Sequence, residues 1–386
     1  MNRHCEVLII GAGIVGCALA ESLARNGLAV TILEAGVIGG GCTAAGMGHL
    51  VALDGSPAEW ALSLAGVQRW QVRAHALPAA AEYRECGTLW LASSAAEMNE
   101  AERKAALYTN YGVSCQLLTA EALYQHEPEL APGLAGGLLV QDEAVMYPPA
   151  ACQWLLERAQ AMGAQLLRGR AQRLEQDGVR LEDGRCLRAR QIVVAAGNQS
   201  RQLLPELPLQ PRKGQLVITE RYPGKIHHQL VELGYLQSAH GNAGESVAFN
   251  VQPRATGQLL IGSSRQFADT GLADEIDWPL LQKMLARAFH YLPGLRSLQA
   301  IRTWAGFRPA TPDKLPLLGP LAGHPGVWLA TGHEGLGVTT ALSSAELLSS
   351  LMIGLPPSID PRPFDPNRFS NANTPICPHA LEDALT

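Results

Sequence analysis

Near the N-terminus a glycine turn, Gly11-Ala12-Gly13-Ile14-Val15-Gly16, follows the apolar run Val7-Leu8-Ile9-Ile10, and an acid, Glu34, closes the next apolar run. These residue types at this spacing suit one kind of chemistry, the holding of a dinucleotide. Gly11 permits a tight turn, Gly13 lets the backbone approach a pyrophosphate, and Gly16 lets a helix pack close to a strand. The start of that helix offers unpaired N–H groups and a positive dipole end to the phosphate. Glu34 stands 18 positions after Gly16 (34 − 16), the interval at which an acid accepts hydrogen bonds from a ribose hydroxyl. Its charge would repel a 2′-phosphate. An empty strand–helix–strand unit is the alternative, and the flanking strands and the acid weigh against it.

These residues need a parallel sheet to position them. Residues 1–35 read as strand, helix, strand. The run from Gly36 to His49 is too rich in glycine for a helix and reads as an ordered loop. Pro57–Ala80 carries Trp60, Leu64, Val67 and Trp70 on one face at helical spacing, and Trp60, Trp70 and Trp154 read most simply as core or interface aromatics. Cys86–Ala92 reads as a strand, Ala95–Tyr111 and Ala120–Leu123 as helices, Gly136–Val140 as a strand and Pro148–Met162 as a helix. Asp177-Gly178 and Asp183-Gly184 mark hairpin turns. Gln191–Gly197 is an apolar strand ending in small residues, as a buried parallel strand beside a dinucleotide would be. Gln215–Thr219, Leu259–Gly262 and Ile301–Phe307 are strand-like, and Asp277–Tyr291 is helical. Val327–Ala330 returns as a last core strand, followed by a glycine turn from Gly332 to Gly337 and a helix through Met352. The expected fold is therefore α/β. A Rossmann-like dinucleotide domain is assembled from residues 1–85, 141–213 and 316–355. An inserted antiparallel α+β substrate domain comprises 86–140 and 214–315. A proline-rich tail, 356–386, is expected on the surface or on a partner.

A chain of 386 residues is long enough for two such domains. Its 47% hydrophobic and 17% charged residues are those of a globular protein. A net charge of −5 without a Lys/Arg run argues against nucleic acid as a partner. The first strand begins too early for a signal peptide ahead of it, and the apolar stretch from Leu8 to Ala20 is too short to span a membrane. The eight cysteines form no C-x-x-C pair and no iron–sulfur spacing, which reads as reduced thiols in the cytoplasm and as no metal site.

Several segments together resemble the D-amino-acid-oxidase-like flavoproteins, among them glycine oxidase, sarcosine oxidase and D-amino acid dehydrogenases. They are the glycine turn with Glu34, the loop ending Ala45-Gly46-Met47, the strand Val193–Gly197, and Ala330-Thr331-Gly332-His333. Trp304-Ala305-Gly306-Phe307-Arg308-Pro309 and the turn from Asp313 to Gly319 complete the set. Within the family, Gly46–Val51 and Asp54–Pro57 look most like the flavin subunits of heteromeric dehydrogenases: D-hydroxyproline dehydrogenase, opine oxidase and hydrogen cyanide synthase. The resemblance implies FAD, held by Gly11, Gly13, Ile14, Val15, Gly16, Glu34, Ala35, Cys42, Thr43, Gly46, Met47, Gly48, Ala196, Gly197, Gly332, Gly335, Leu336, Gly337, Val338 and Thr339. It also implies, in some relatives, partner subunits carrying an iron–sulfur cluster or FMN at an interface, and contact with the inner membrane through electron acceptors.

The reaction implied is oxidation of a C–N bond beside a carboxylate in a small amino or imino acid, with cis-4-hydroxy-D-proline as leading candidate. A peroxide-producing oxidase and a tRNA-modifying or non-catalytic flavin subunit are the competing readings. Arg308 is the expected grip for the carboxylate, because its planar fork meets both oxygens; an interdomain salt bridge is the alternative. His49 either accepts the amine proton, as an imidazole titrating near neutrality, or is a buried histidine bonded to backbone. His333 lies in a turn whose backbone N–H groups suit negative charge on the flavin, a role more natural than one for its side chain. Where glycine oxidase carries a second arginine after its G-H-x, this chain has Gly335, so glycine is a doubtful substrate. Lys213 either faces a cofactor or serves the start of a strand.

Overall fold

The computed structural model describes residues 5–234, 245–267 and 275–369. Two eight-stranded sheets organise it. In the first, the central path runs Leu317–Pro320, Val327–Thr331, Cys186–Val194, Cys5–Ile10, Val30–Glu34, Gln165–Arg168. Its four inner pairings are parallel, and Leu317–Pro320 is antiparallel to its neighbour. The hairpin strands Ala171–Glu175 and Gly178–Leu181 extend from Cys186–Val194 through the two Asp-Gly turns. The first strand is buried on both faces: Val7 and Ile9 enter one core, Leu8 and Ile10 the other. Unbroken apolar runs are what a sheet covered on both sides requires. The covering helix Ile14–Arg25 packs against Pro148–Ala161 and Gly337–Met352, and the latter against Pro57–Arg73.

The second sheet runs Ala300–Ala310, Gln210–Arg221, Gln258–Phe267, Ser246–Pro253, Gln229–Glu232, Thr88–Ala92, Gly136–Val140, Cys115–Thr119. All its pairings are antiparallel except that between Gln229–Glu232 and Thr88–Ala92. The helix Trp278–Tyr291, capped by Asp277 through the Leu280 N–H, closes one face. Among the described residues, no helix is long and apolar enough to cross a membrane.

Three local expectations are corrected. The glycine-rich loop contains one helical turn, Cys42–Ala45, started by the Gly41 carbonyl. Small residues allow it to lie on the edge strand, where a Cβ on Gly306 would overlap that of Ala45. The helix from Pro57 ends at Arg73 rather than near Ala80, because Leu77 precedes Pro78 and is extended there. The strand Gln210–Arg221 crosses the expected boundary at 213. The expected surface tail is anchored as far as it is described: Phe364 is fully buried, Arg368 pairs with Asp313 at 2.7 Å, and Asn367 donates to the Pro320 carbonyl. The rest of the expected tail, 370–386, lies outside the described residues.

Candidate active site

A single cavity of about 1140 Å³ runs from the glycine turn to the face of the second sheet. At its first end the walls are backbone. Gly11 has φ +111°, and a Cβ there would sit 2.6 Å from the Ala195 carbonyl oxygen. A Cβ on Gly16 would overlap the Gly11 carbonyl, so glycine is what lets helix and strand approach. At Gly13, by contrast, the nearest atom to an added Cβ is Thr43 Oγ1 at 3.5 Å; the space beside it belongs to the cavity. Thr43 accepts the Ile14 N–H at 3.0 Å. Glu34 accepts from the Ala12 N–H at 2.7 Å and the Gly36 N–H at 2.6 Å. A carboxylate has about four acceptor positions, so hydroxyl binding remains open to it. Glycine turn, helix start and acid thus fit a dinucleotide on their own geometry.

The middle of the cavity is lined by Cys42, Gly46, Met47, Gly48, Ala196, Gly197, Trp304–Arg308 and His333–Val338. Cross-links hold these segments together. Asn198 Nδ2 donates to the Phe307 carbonyl at 2.6 Å, Trp304 Nε1 to the Ala45 carbonyl at 3.2 Å, and Gln252 Nε2 to the Met47 carbonyl at 2.6 Å. The helix Gly337–Met352 begins at the cavity wall with no side-chain cap, so its first N–H groups and dipole face inward. Of the expected cofactor residues, Gly16, Gly332 and Thr339 do not line the cavity. Gly16 acts through packing. Gly332, φ +83°, makes the turn, and Thr339 donates to the His49 carbonyl at 3.1 Å.

The far end is charged. The Arg308 guanidinium lies over Gly214, where a Cβ would come within 2.5 Å of both terminal nitrogens, and it donates to the Ser264 carbonyl at 3.3 Å. His49 stands near it, half-buried. Burial first, then the Arg308 and Arg265 charges, lower its pKa to about 4. His49 is therefore neutral at physiological pH, which corrects the expectation of a base titrating near neutrality. The His333 ring hydrogen-bonds Ser344 Oγ at 3.1 Å, and burial lowers its pKa to about 4. Lys213 does not line the cavity and donates to the Glu275 carbonyl at 2.5 Å, in keeping with the strand-entry alternative.

Sequence reasoning missed five cavity residues here: Glu59, Arg212, Arg265, Lys314 and Glu334. Arg212 and Glu334 pair at 2.6 Å. Burial raises the Glu334 carboxyl, but Arg265, Arg212 and Arg308 outweigh it and hold the group below the usual range. Glu59 accepts the Gly55 N–H at 3.0 Å, while the Oγ of the helix N-cap Ser56 accepts the Glu59 N–H at 3.1 Å. Burial, with smaller pushes from Glu334 and Asp54, lifts its pKa to about 7 against the Gly55 N–H and Lys314. Strand alternation held the missing signal for Arg212. Gly214 and Arg212 share a face, so Lys213 between them must point the other way.

The sequence profile of the family described as "FAD dependent oxidoreductase" matches residues 6–351, and the chain belongs to that family. Its cofactor is therefore FAD. The chain is 27% identical over 379 residues to glycine oxidase of Pseudomonas putida, covering 94% of this chain and 98% of that protein. It is 26% identical to the hydrogen cyanide synthase subunit HcnC of Pseudomonas aeruginosa, covering 96% and 97%. Among solved structures, L-proline dehydrogenase of P. horikoshii superposes with a TM-score of 0.85 at 22% identity, over 96% of this chain and 99% of that one. Glycine oxidase of Geobacillus kaustophilus gives 0.84 at 24% identity, over 95% and 99%. These two show the shared fold.

Proposed function

We propose that this protein oxidises the C–N bond beside the carboxylate of a small amino or imino acid. The observation that carries the reading is Arg308, braced over Gly214 at the end of the cavity opposite the glycine turn, with a neutral His49 beside it. Bound FAD supplies the hydride acceptor; the chain supplies binding and orientation. Arg308 takes the carboxylate as a two-pronged hydrogen bond, which fixes the α-carbon. The cationic surroundings (Arg265, Arg308, Lys314) favour a neutral amine over an ammonium, and only the neutral amine has a lone pair to donate as hydride leaves. His49, uncharged, suits a hydrogen bond to that amine without adding charge. The N-terminus of the helix Gly337–Met352 stabilises negative charge arising beside it.

The leading candidate substrate is cis-4-hydroxy-D-proline, supported by the Met47–Pro57 resemblance and by Gly335 standing where glycine oxidase has its second arginine. The similarity to HcnC, a named subunit of a larger synthase, supports a heteromeric enzyme with redox partners. Anaerobic addition of D- and L-amino and imino acids to the purified yellow protein tests the reading. Bleaching of the flavin by D-imino acids is expected. Indifference of the flavin to every amino acid would leave a non-catalytic subunit as the better account, and rapid re-oxidation by oxygen would favour the oxidase.

A further inference from the structure

We propose that Asn250 and Ser263 form a neutral polar subsite on the cavity floor that receives a hydroxyl borne by the substrate apart from its carboxylate. This rests on the proposed function and adds a specificity to it.

Both residues belong to the second sheet and to neighbouring strands. Asn250, on Ser246–Pro253, stands directly opposite Gly262 on Gln258–Phe267, and Ser263 follows Gly262. Both line the cavity. They are deeply set, Asn250 4% exposed and Ser263 5%. Among the described residues, neither Asn250 Oδ1 nor Ser263 Oγ has a hydrogen-bond partner. Buried amides and hydroxyls are otherwise paired, because an unpaired one has given up its hydration for nothing. Other polar side chains of this cavity have protein partners: Asn198 donates to the Phe307 carbonyl at 2.6 Å, and Arg212 to Glu334 at 2.6 Å. Two unpaired groups on adjacent strands, at the floor of a ligand cavity, call for a ligand group to pair them.

Their neighbours place them at the substrate end. Arg308 donates at 3.3 Å to the carbonyl of Ser264, the residue after Ser263. Gln252 lies two along from Asn250, on the same face of the strand. It donates at 2.6 Å to the carbonyl of Met47, two residues before His49. The pair therefore stands with the groups assigned to the substrate, on the sheet that does not carry the glycine turn.

The surrounding wall is apolar. A Cβ on Gly262 would come within 2.7 Å of Leu216 Cδ2 and 3.0 Å of Met47 Sδ. Glycine there lets both side chains close on the strand beside the two polar residues. Met47, Leu216 and Leu260 cluster, with Trp304 against them. An apolar wall with a few placed polar groups is the usual lining of a small-ligand site, where the polar groups select. The amide offers an acceptor and donors, and the serine hydroxyl offers either role. A substrate hydroxyl also donates and accepts, so it pairs with both at once. The two side chains carry no charge and give a second carboxylate no counter-ion of their own. A substrate with only methylene at this place leaves both unpaired.

Two matched pairs test this on the FAD-loaded protein with an artificial electron acceptor, in the enantiomer that reduces the flavin: proline against cis-4-hydroxyproline, and alanine against serine. The hydroxylated member is expected to win in at least one pair by roughly 100-fold in kcat/KM, because a site built to hydrogen-bond a hydroxyl rejects the analogue lacking it. Asn250→Leu and Ser263→Ala are each expected to shrink that ratio by about tenfold. Ser263→Ala removes a single oxygen and keeps the strand, so it serves if the bulkier change prevents folding. Equal use of both members in both pairs overturns the inference. So does a ratio that Ser263→Ala leaves unchanged, which includes an equal fall for both members. A folded variant that loses its flavin also overturns it, by assigning the pair to the cofactor. Flavin reduction only by unhydroxylated amino acids overturns it and leaves the proposed function intact; no reduction by any amino acid overturns both.

Discussion

At the dinucleotide end of the cavity the wall beside the turn is backbone, shaped by Gly11, Gly13 and Gly16, with the charged side chains Glu34 and Arg170 bordering it. At the other end the wall is long side chains (Arg212, Arg265, Arg308, Lys314, Glu59, Glu334), and glycine serves only to make room for them. The difference follows from the ligands. A pyrophosphate is the same in every relative and is met by N–H groups and a helix dipole, which any sequence supplies once glycine clears the approach. A substrate differs from enzyme to enzyme and is met by side chains, which evolution changes one at a time.

The contrast predicts that the same kind of lesion has different consequences at the two ends. Gly16→Ala adds a methyl that overlaps the Gly11 carbonyl. The helix must withdraw from the strand, and we expect a protein recovered without FAD, judged by the absence of flavin absorbance. Gly214→Ala adds its methyl 2.5 Å from the Arg308 nitrogens. A guanidinium can swing where a backbone cannot, so this variant is expected to keep FAD and lose about 10- to 100-fold in kcat/KM; displacing a binding group by an ångström costs that much. A colourless Gly214→Ala protein would erase the distinction between the ends.

Smaller effects sharpen it. Glu34→Ala should weaken FAD by about 1–3 kcal/mol, the range for a lost charged hydrogen-bond partner, read as a shift in the flavin-loading curve with turnover of the loaded enzyme unchanged. Glu59 should leave the smallest mark, a pH dependence. Its pKa is about 7, so it is neutral below that and anionic above. The new charge appears beside Glu334 and Asp54, with Lys314 and the Gly55 N–H opposing it, in a cavity that takes an anion. kcat/KM should therefore fall a few-fold as pH rises through about 7, and Glu59→Gln should flatten the profile. His49, at about 4, contributes no inflection near neutrality.

Legibility in the sequence follows the same division. The cofactor end was readable because its parts are local: strand, turn, helix and acid fall within residues 7–34, and each has a fixed spacing. The same locality made the strands of the first sheet plain from their apolar runs. The substrate end brings together residues 59, 212, 265, 308, 314 and 334, whose proximity exists only after two sheets have formed. An arginine in a strand carries no mark of the cavity it faces, and a recognisable segment such as that around Arg308 marks only some of these positions. His49 lines the cavity, and its titration is not legible in the sequence, since burial and two guanidinium groups are tertiary facts. Thr339 follows cavity-lining residues yet turns its hydroxyl to the His49 carbonyl, a matter of side-chain direction within one helical turn.

The central claim is that one cavity holds FAD at its backbone end and a substrate carboxylate at Arg308. Anaerobic single-turnover reduction of Arg308→Lys, with FAD content measured on the same sample, tests it most directly. Lysine keeps the charge and loses the two-pronged geometry. The account predicts full FAD occupancy and wild-type absorbance, with reduction by the preferred amino acid slowed about 100-fold at subsaturating concentration, equivalent to about 3 kcal/mol for a truncated buried charge pair. Reduction at the wild-type rate would contradict it and return Arg308 to a structural role.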